Sequence, residues 1–342
     1  MPTLMEVAKR AGVSTATVSK VLSNTPYFTE ETRQKVMQAV EEIGYIPNLA
    51  ARALSTGKTH IIGVVFPYVF DTVFTDPLVM EILQGIETVC REQGCSVLLS
   101  TPRIDDGEVE NSYVQLIRSG YLDGIIALDN VPVASVIPHA NAHDVTAVCI
   151  GYNTHTYYVR RDDYDGGYRL MQHVLELEHR HIGIICPPQN LNSPVSERLD
   201  GLRDAAQAHS VDFAALPTVS GNYSVDSGAT GAQHLLEQHP EITALICVND
   251  RMAIGAIQYL QSAGYTVPDD VTVVGYDNIA MSQFISPTIT TINQHAADLG
   301  QRAAHMLFDV LNGKPDVQPI TLPPELIVRQ SSGKPRTGPL ER

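Results

Sequence analysis

The stretch TLMEVAKRAGVSTATVSKVLSN, residues Thr3 to Asn24, decides how the chain begins. Counted from Leu4, Ala8 falls fifth, Gly12 ninth and Val18 fifteenth, with Val7, Ala11, Val13 and Val21 at positions that must be apolar. Two helices that cross steeply need a small residue where their backbones approach, and Ala8 supplies it. The tight turn between them needs a residue that tolerates positive φ, and Gly12 supplies that. Thr3 and Glu6 form a capping-box pattern, and Ser14 is placed to cap the second helix. The pattern predicts a DNA-reading helix-turn-helix whose second helix enters the major groove with its early residues at base edges. Lys20 can donate to guanine O6 and N7, Ala16 can touch a thymine methyl, and Thr15 can reach a base or a phosphate. Lys20 on phosphate alone is the alternative. Thr17 and Ser19 are assigned to phosphate contact or to support of the fold.

Moving outward, a third helix is expected from Thr29 to Glu42. Thr29 caps it, Glu30 and Glu31 complement its dipole, and Val36, Val40 and Ile43 face inward. Gly44 ends it and Pro47 blocks its continuation, so the head spans residues 1–47. Residues 48–55, NLAARALS, are helix-prone but only about two turns long, a length that is marginal alone in water. With the linker to residue 59 they form a hinge, a segment that folds only in the right context. In a dimer two such helices could lie together in a minor groove, with paired Leu54 side chains wedged into a base step. A plain linker helix with Leu54 packed on the body is the alternative.

The 342 residues exceed one ordinary domain. The net charge of −15 divides unevenly. The first 58 residues carry seven Lys/Arg and five Glu, a net +2, and the remainder carries −17. A mildly basic head on an acidic body suits nucleic-acid binding at one end only. The five cysteines are scattered without a CxxC pair, which argues for reduced thiols and against a zinc finger. There is no signal-like N-terminus and no apolar run of membrane-spanning length, so a cytoplasmic, nucleoid-associated protein is expected, with no membrane partner.

From Ile61 onward, strand-length apolar runs alternate with amphipathic helical stretches. Strands are predicted at 61–66, 96–100, 124–128 and 146–150, then at 182–186, 243–248 and 271–274. Helices are predicted at 78–93 and 108–119, then at 166–177, 195–209, 225–238 and 251–263. The fold class is α/β, two doubly wound lobes with a cleft between them, behind a three-helix head. Ligands bind such sheets beyond strand C-terminal ends. Asn249, Asp250 and Asp277 follow strands, Arg198 opens a helix, and Asp162 and Gln294 stand at crossings between lobes. Planar polar groups of this kind pair with vicinal hydroxyls, and Tyr223, Phe70 or Phe74 could cover an apolar ring face. The alternatives are an Arg198–Asp277 structural ion pair, a helix-capping Asp250, and Phe70 and Phe74 as lid or core.

The head, EEIGYIPNLAARALSTGKTHIIGVV, ALICVNDRMAIGAI and VTVVGYDN…SPTITTINQ together resemble the lactose-repressor (LacI/GalR) family, from about Thr3 to Arg329. The resemblance implies a helix-turn-helix head, a hinge helix and a periplasmic-binding-protein-like body. It favours Thr15 and Ala16 as the specificity pair, with Asn48 at the backbone or minor groove and Leu54 as the wedge. It implies effector contact by Arg198, Asn249, Asp277, Gln294 and Tyr223. Crossings between lobes fall near 158–161, 288–291 and 320–322. The first lobe is thus 60–158 with 291–320, the second 159–290 with 321–330, and 331–342 is expected to be a disordered tail. Glu178 replaces the glycine the family usually carries before His179.

Other signals are weaker. Gly57-Lys58-Thr59 lacks the first glycine and the strand of a phosphate-binding loop, and no GxGxxG follows the first strand. His139 and His143 have helical metal spacing but no adjacent Glu, and read as solvated. No catalytic constellation, metal site or cofactor is expected. The reading is an effector-responsive repressor of a sugar-uptake or catabolism operon. It would bind a palindromic operator in double-stranded DNA as a homodimer, with a sugar or sugar-like effector in the cleft. A purine or nucleoside ligand, or a protein partner, is the alternative. An α/β enzyme carrying a DNA-binding head lacks support.

Overall fold

The computed structural model describes residues 2–22, 27–45, 58–66, 73–101, 104–105, 108–109, 112–128, 136–151, 156–188 and 193–336. The chain divides into two units, Met1–His60 and Ile61–Arg342.

The first unit holds helices α1 (Leu4–Ala11), α2 (Thr15–Leu22) and α3 (Glu30–Ile43). The capping box closes α1: Glu6 N–H donates to Thr3 Oγ1 at 3.3 Å and Thr3 N–H donates to Glu6 Oε2 at 2.7 Å. Gly12 (φ +67°) and Gly44 (φ +65°) take the left-handed positions that end α1 and α3. Val7, Ala8, Val18, Val21, Val36 and Ala39 form the core. Ala39 takes the fully buried place expected of Val40 and Ile43, which flank the core half-buried.

The second unit contains two parallel sheets. The first runs in the order β13-β7-β6-β5-β1-β2, with β1 (Ile61–Val65), β2 (Ser96–Ser100), β5 (Gly124–Leu128), β6 (Ala147–Ile150), β7 (Tyr158–Arg161) and β13 (Ile320–Leu322). The second runs β11-β10-β8-β9, with β8 (Ile182–Cys186), β9 (Thr218–Ser220), β10 (Ala244–Cys247) and β11 (Thr272–Val274). Central strands such as Gly124–Leu128 and Ile182–Cys186 are buried throughout, as strands covered by helices on both faces must be. Helices α4 (Pro77–Glu92) and α11 (Ala296–Leu311) pack against each other on the first sheet. On the second, α7 (Asp163–Glu176) packs with α8 (Ser193–Ala208), and α9 (Val225–Gln238) with α10 (Asp250–Ser262). A short hairpin at 104–109 replaces the start of the helix expected at 108–119, which runs only over Ser112–Arg118.

The chain passes between sheets three times, each crossing about three residues later than the sequence suggested. All of β7 pairs within the first sheet, which β13 joins at its edge. By contrast β12 (Thr291–Asn293) pairs with β14 (Glu325–Ile327), and Asp277 N–H donates to Ile292 O at 2.9 Å, which ties β12 to the second lobe. The expected disordered tail is ordered through Arg336. Ser331 is buried with its Oγ donating to Val273 O at 2.5 Å, and Arg336 Nη1 reaches Asp270 O at 2.6 Å. These backbone partners fix a segment whose polar composition suggested solvent.

Candidate DNA interface and effector site

In α2, Val18 and Val21 are buried while Thr15, Ala16 and Lys20 are exposed on the other side. Ser14 Oγ accepts from Thr17 N–H at 3.0 Å and lies 2.9 Å from Thr17 Oγ1. Thr17 is thereby engaged in holding the helix start, and Ser19 is half-buried. An exposed, polar first turn with Lys20 in the turn that follows, on a buried apolar base, is the arrangement that docks in a major groove. Asn48 and Leu54 lie outside the described residues, as does Phe70.

In the body, buried polar side chains gather where the chain crosses between lobes. Arg198 donates through Nη2 to Asp163 Oδ1 at 2.7 Å and through Nη1 to Val248 O. Its guanidinium carbon lies 3.4 Å from the centroid of the Tyr276 ring, and Tyr276 Oη donates to Asp163 Oδ1 at 3.3 Å. Arg161 Nε stands 3.7 Å from Asp163 Oδ2. The ion-pair partner of Arg198 is therefore Asp163, not Asp277. Asp277 instead accepts from Gln294 Nε2, and burial raises its carboxyl well above the usual range despite the nearby Arg198 charge.

Asn249 caps α10, its Oδ1 accepting from Met252 N–H at 2.9 Å and its Nδ2 donating to Tyr223 O at 3.2 Å. The cap expected of Asp250 belongs to Asn249. Asp250 is a fully buried brace that accepts from Thr291 Oγ1 at 2.6 Å and Ile279 N–H at 2.9 Å, with burial pushing its pKa up to about 7. Asp162 caps α7 by accepting from Asp165 N–H at 2.9 Å. Tyr223 is half-buried at φ +65° and packs against the second-lobe core. Phe74, 66% exposed, stands in a short 3-10 turn and is not part of a core.

The structure buries Arg198, Asn249, Asp277 and Gln294, which the sequence analysis singled out, and also Arg161, Asp163 and Tyr276, which it did not. The available signals were the charged run Arg160-Arg161-Asp162-Asp163 at a strand end and the pair Gly166-Gly167. A Cβ on Gly166 would stand 2.1 Å from Tyr276 Oη, and one on Gly167 2.0 Å from Arg198 O. Those two glycines let α7 close onto Tyr276 and α8, which sets the Asp163–Arg198 pair. A separate open groove of about 690 Å³, lined by Ser220, Asn222, Ser224 and His234 among others, shares no residue with this cluster.

A helix-turn-helix head joined to a two-lobed α/β body with a polar cluster between the lobes defines a DNA-binding regulator with a ligand-binding body. Residues 3–48 match the bacterial regulatory proteins of the lacI family, and residues 171–332 match the periplasmic binding protein-like domain. The HTH-type transcriptional repressor PurR of Haemophilus influenzae is 32% identical over 344 residues, covering 97% of this chain and 98% of that protein. The lac repressor dimer bound to operator and an anti-inducer superposes with a TM-score of 0.85 at 26% identity, covering 97% of this chain and 99% of that one. The cellobiose complex of the transcriptional regulator CelR matches with a TM-score of 0.72 at 28% identity, covering 97% and 100%. The chain belongs to the lacI family and is a DNA-binding transcriptional repressor.

Proposed function

We propose that this repressor binds a near-palindromic operator as a homodimer and responds to a sugar or sugar-like effector held between its lobes. The observation that carries the effector reading is the set of buried polar groups, Arg198, Asn249, Asp277 and Gln294, drawn from separate elements at the lobe crossings. Carboxylate, amide and guanidinium side by side suit vicinal hydroxyls. The cellobiose bound by CelR supports the same class. Thr15, Ala16 and Lys20 read bases, Thr17 and Ser19 support or touch phosphate, and Asn48 with Leu54 engages the minor groove. Exposed Leu98 and Leu99 on edge strand β2, with Met281 and Phe284 in the second lobe, offer apolar surface for a second copy. A second reading, control by a purine or nucleoside, is favoured by the similarity to PurR.

Thermal shift of the full chain against free sugars, purines and nucleosides tests both. The expected result is a saturable rise with a sugar that is lost on Arg198→Ala and that changes operator affinity in a gel-shift titration. A rise confined to purines transfers the proposal to the second reading. No rise with either class sinks the small-molecule reading.

A further inference from the structure

Two cysteines meet where α4 turns into β2. Helix α4 ends at Glu92, Gln93 follows as its cap, and Gly94 takes φ +68°. Gly94 N–H donates to Arg91 O at 3.0 Å, and Cys95 N–H donates to Cys90 O at 2.8 Å. These are the paired bonds of a Schellman turn, which sets a side chain of the last helical turn against one just past the helix end. Here the two side chains are Cys90 and Cys95. We infer that they form a redox-active dithiol, which a hydroperoxide converts to an intramolecular disulfide tying the end of α4 to the start of edge strand β2.

The geometry meets what a disulfide requires. The 2.8 Å contact runs between the backbones of the two cysteines themselves. With standard bond lengths on either side of that contact, their Cα atoms stand no more than about 6.7 Å apart. Disulfides span Cα separations of about 4.4–6.8 Å. Both side chains also turn to the same place, since Cys90 belongs to the core cluster of the first lobe and Cys95 packs against that cluster. The other three cysteines are elsewhere. Cys149 belongs to a different core cluster, and Cys186 and Cys247 lie in the second-lobe core. Cys90 and Cys95 are therefore each other's partners by placement.

Exposure divides the roles. Cys90 is fully buried, and burial pushes its thiol up to about 12, with Cys95 and Glu87 adding to the rise. It stays protonated and out of reach of an oxidant in water. Cys95 is half-buried, at the mouth of the turn, and meets the oxidant first. Its thiolate attacks one peroxide oxygen, the oxygen–oxygen bond breaks, and its electron pair leaves with hydroxide. The product is a Cys95 sulfenic acid. The Cys90 sulfur then attacks the Cys95 sulfur, the sulfur–oxygen bond breaks, and the Cys90 proton leaves with that hydroxide as water. Two thiols are oxidised to one disulfide and the peroxide is reduced to water. A thiol reductant reverses the bond by exchange. Reduced thiols are the resting state in a reducing compartment, where such bonds are transient and redox-sensing.

The test treats the reduced full chain with hydrogen peroxide and follows its intact mass and its non-reducing peptide map. Wild type is expected to lose two hydrogens per chain, to give one peptide pair joined through Cys90 and Cys95, and to return to its starting mass with dithiothreitol. Cys95→Ser should resist, losing thiol roughly tenfold or more slowly than wild type, because the cysteines it retains are all buried. Cys90→Ser should stop at the Cys95 sulfenic acid, which dimedone traps, and Cys90→Ala replaces it if the serine variant folds poorly. Should neither fold, the wild-type map and Cys95→Ser decide the matter by themselves. A bond from Cys95 to any other cysteine, or between two chains, overturns the inference. So does oxidation of Cys95 to the sulfinic acid in wild type with no bond to Cys90, or loss of two hydrogens in Cys95→Ser.

Discussion

At the scale of single residues, the turn after α7 has an unusual solution. Glu178 occupies φ +78°, the left-handed position that a glycine fills without strain. The next residue, His179, is buried, with Nε2 2.8 Å from Gly333 O and Nδ1 2.9 Å from Thr243 Oγ1. A carbonyl partner requires the proton on Nε2, so the neutral ring fits with Nδ1 accepting from the hydroxyl. Burial lowers the pKa of His179, against the Gly333 carbonyl, which favours the charged form. A base depressed in the fold contributes stability that is present above its unfolded value near 6.5 and is lost as pH falls from there through the folded value. One proton bounds the effect at about 1.4 kcal/mol per pH unit. Between pH 7 and 5.5, wild type should therefore lose more melting temperature than His179→Gln, whose amide can still donate to Gly333 O. Parallel curves for the two proteins would refute the assignment. The residue level was only partly legible in sequence. Asn249, Asp277 and Gln294 stand at strand ends and could be read in order, whereas the pairing of Arg198 with Asp163 depends on how closely Gly166 and Gly167 let two helices approach.

At the scale of elements, the head was the most legible part of the chain because its signals are local. Thr3, Ser14 and Thr29 each cap the helix that follows, and Gly12 and Gly44 each end one. Strand β9 was not foreseen, and the sequence of the helix Ile137–Ala142 admits loop or helix. The first alternates exposed and half-buried positions over three residues, and the second carries Pro in its first turn with no clear apolar period. The DNA reading separates two kinds of substitution within α2. Ser14→Ala removes a cap, worth about 1 kcal/mol, without touching a base contact. It should lower the stability of the head and weaken binding to all duplexes alike. Ala16→Ser leaves the cap intact and changes what one base edge meets, so it should shift sequence preference at one symmetric pair of positions. Selection from a random duplex library, run on both variants, distinguishes these outcomes. An altered preference in Ser14→Ala, or none in Ala16→Ser, would remove α2 from base reading.

At the scale of the whole body, the two lobes meet through charged groups as well as through chain crossings. Asp76 starts α4 on the first lobe, its Oδ1 accepting from Leu78 N–H at 3.0 Å. Arg251 stands in the first turn of α10 on the second lobe, its Nη1 4.0 Å from Asp76 Oδ2. Both side chains are largely buried, and Nη1 has no hydrogen-bond partner among the described residues. A slight further closure of the lobes would turn this pair into a charge-assisted hydrogen bond, while opening would strand both charges. Burial raises the Asp76 pKa and the Arg251 charge opposes that rise, so Asp76 depends on Arg251 to stay ionised in place. The pair therefore favours one lobe angle over another, and the effector proposed above would act on the same equilibrium. Asp76→Asn keeps the helix cap and removes the charge, which isolates this effect. Operator affinity measured with and without saturating effector gives the coupling directly. It should fall about fivefold or more in Asp76→Asn, equivalent to roughly 1 kcal/mol. The double exchange Asp76→Arg with Arg251→Asp restores opposite charges across the same gap and should recover part of the loss. Unchanged coupling in the single variant would mean that the pair only holds its two helices, and that the lobe angle is set by the three crossings alone.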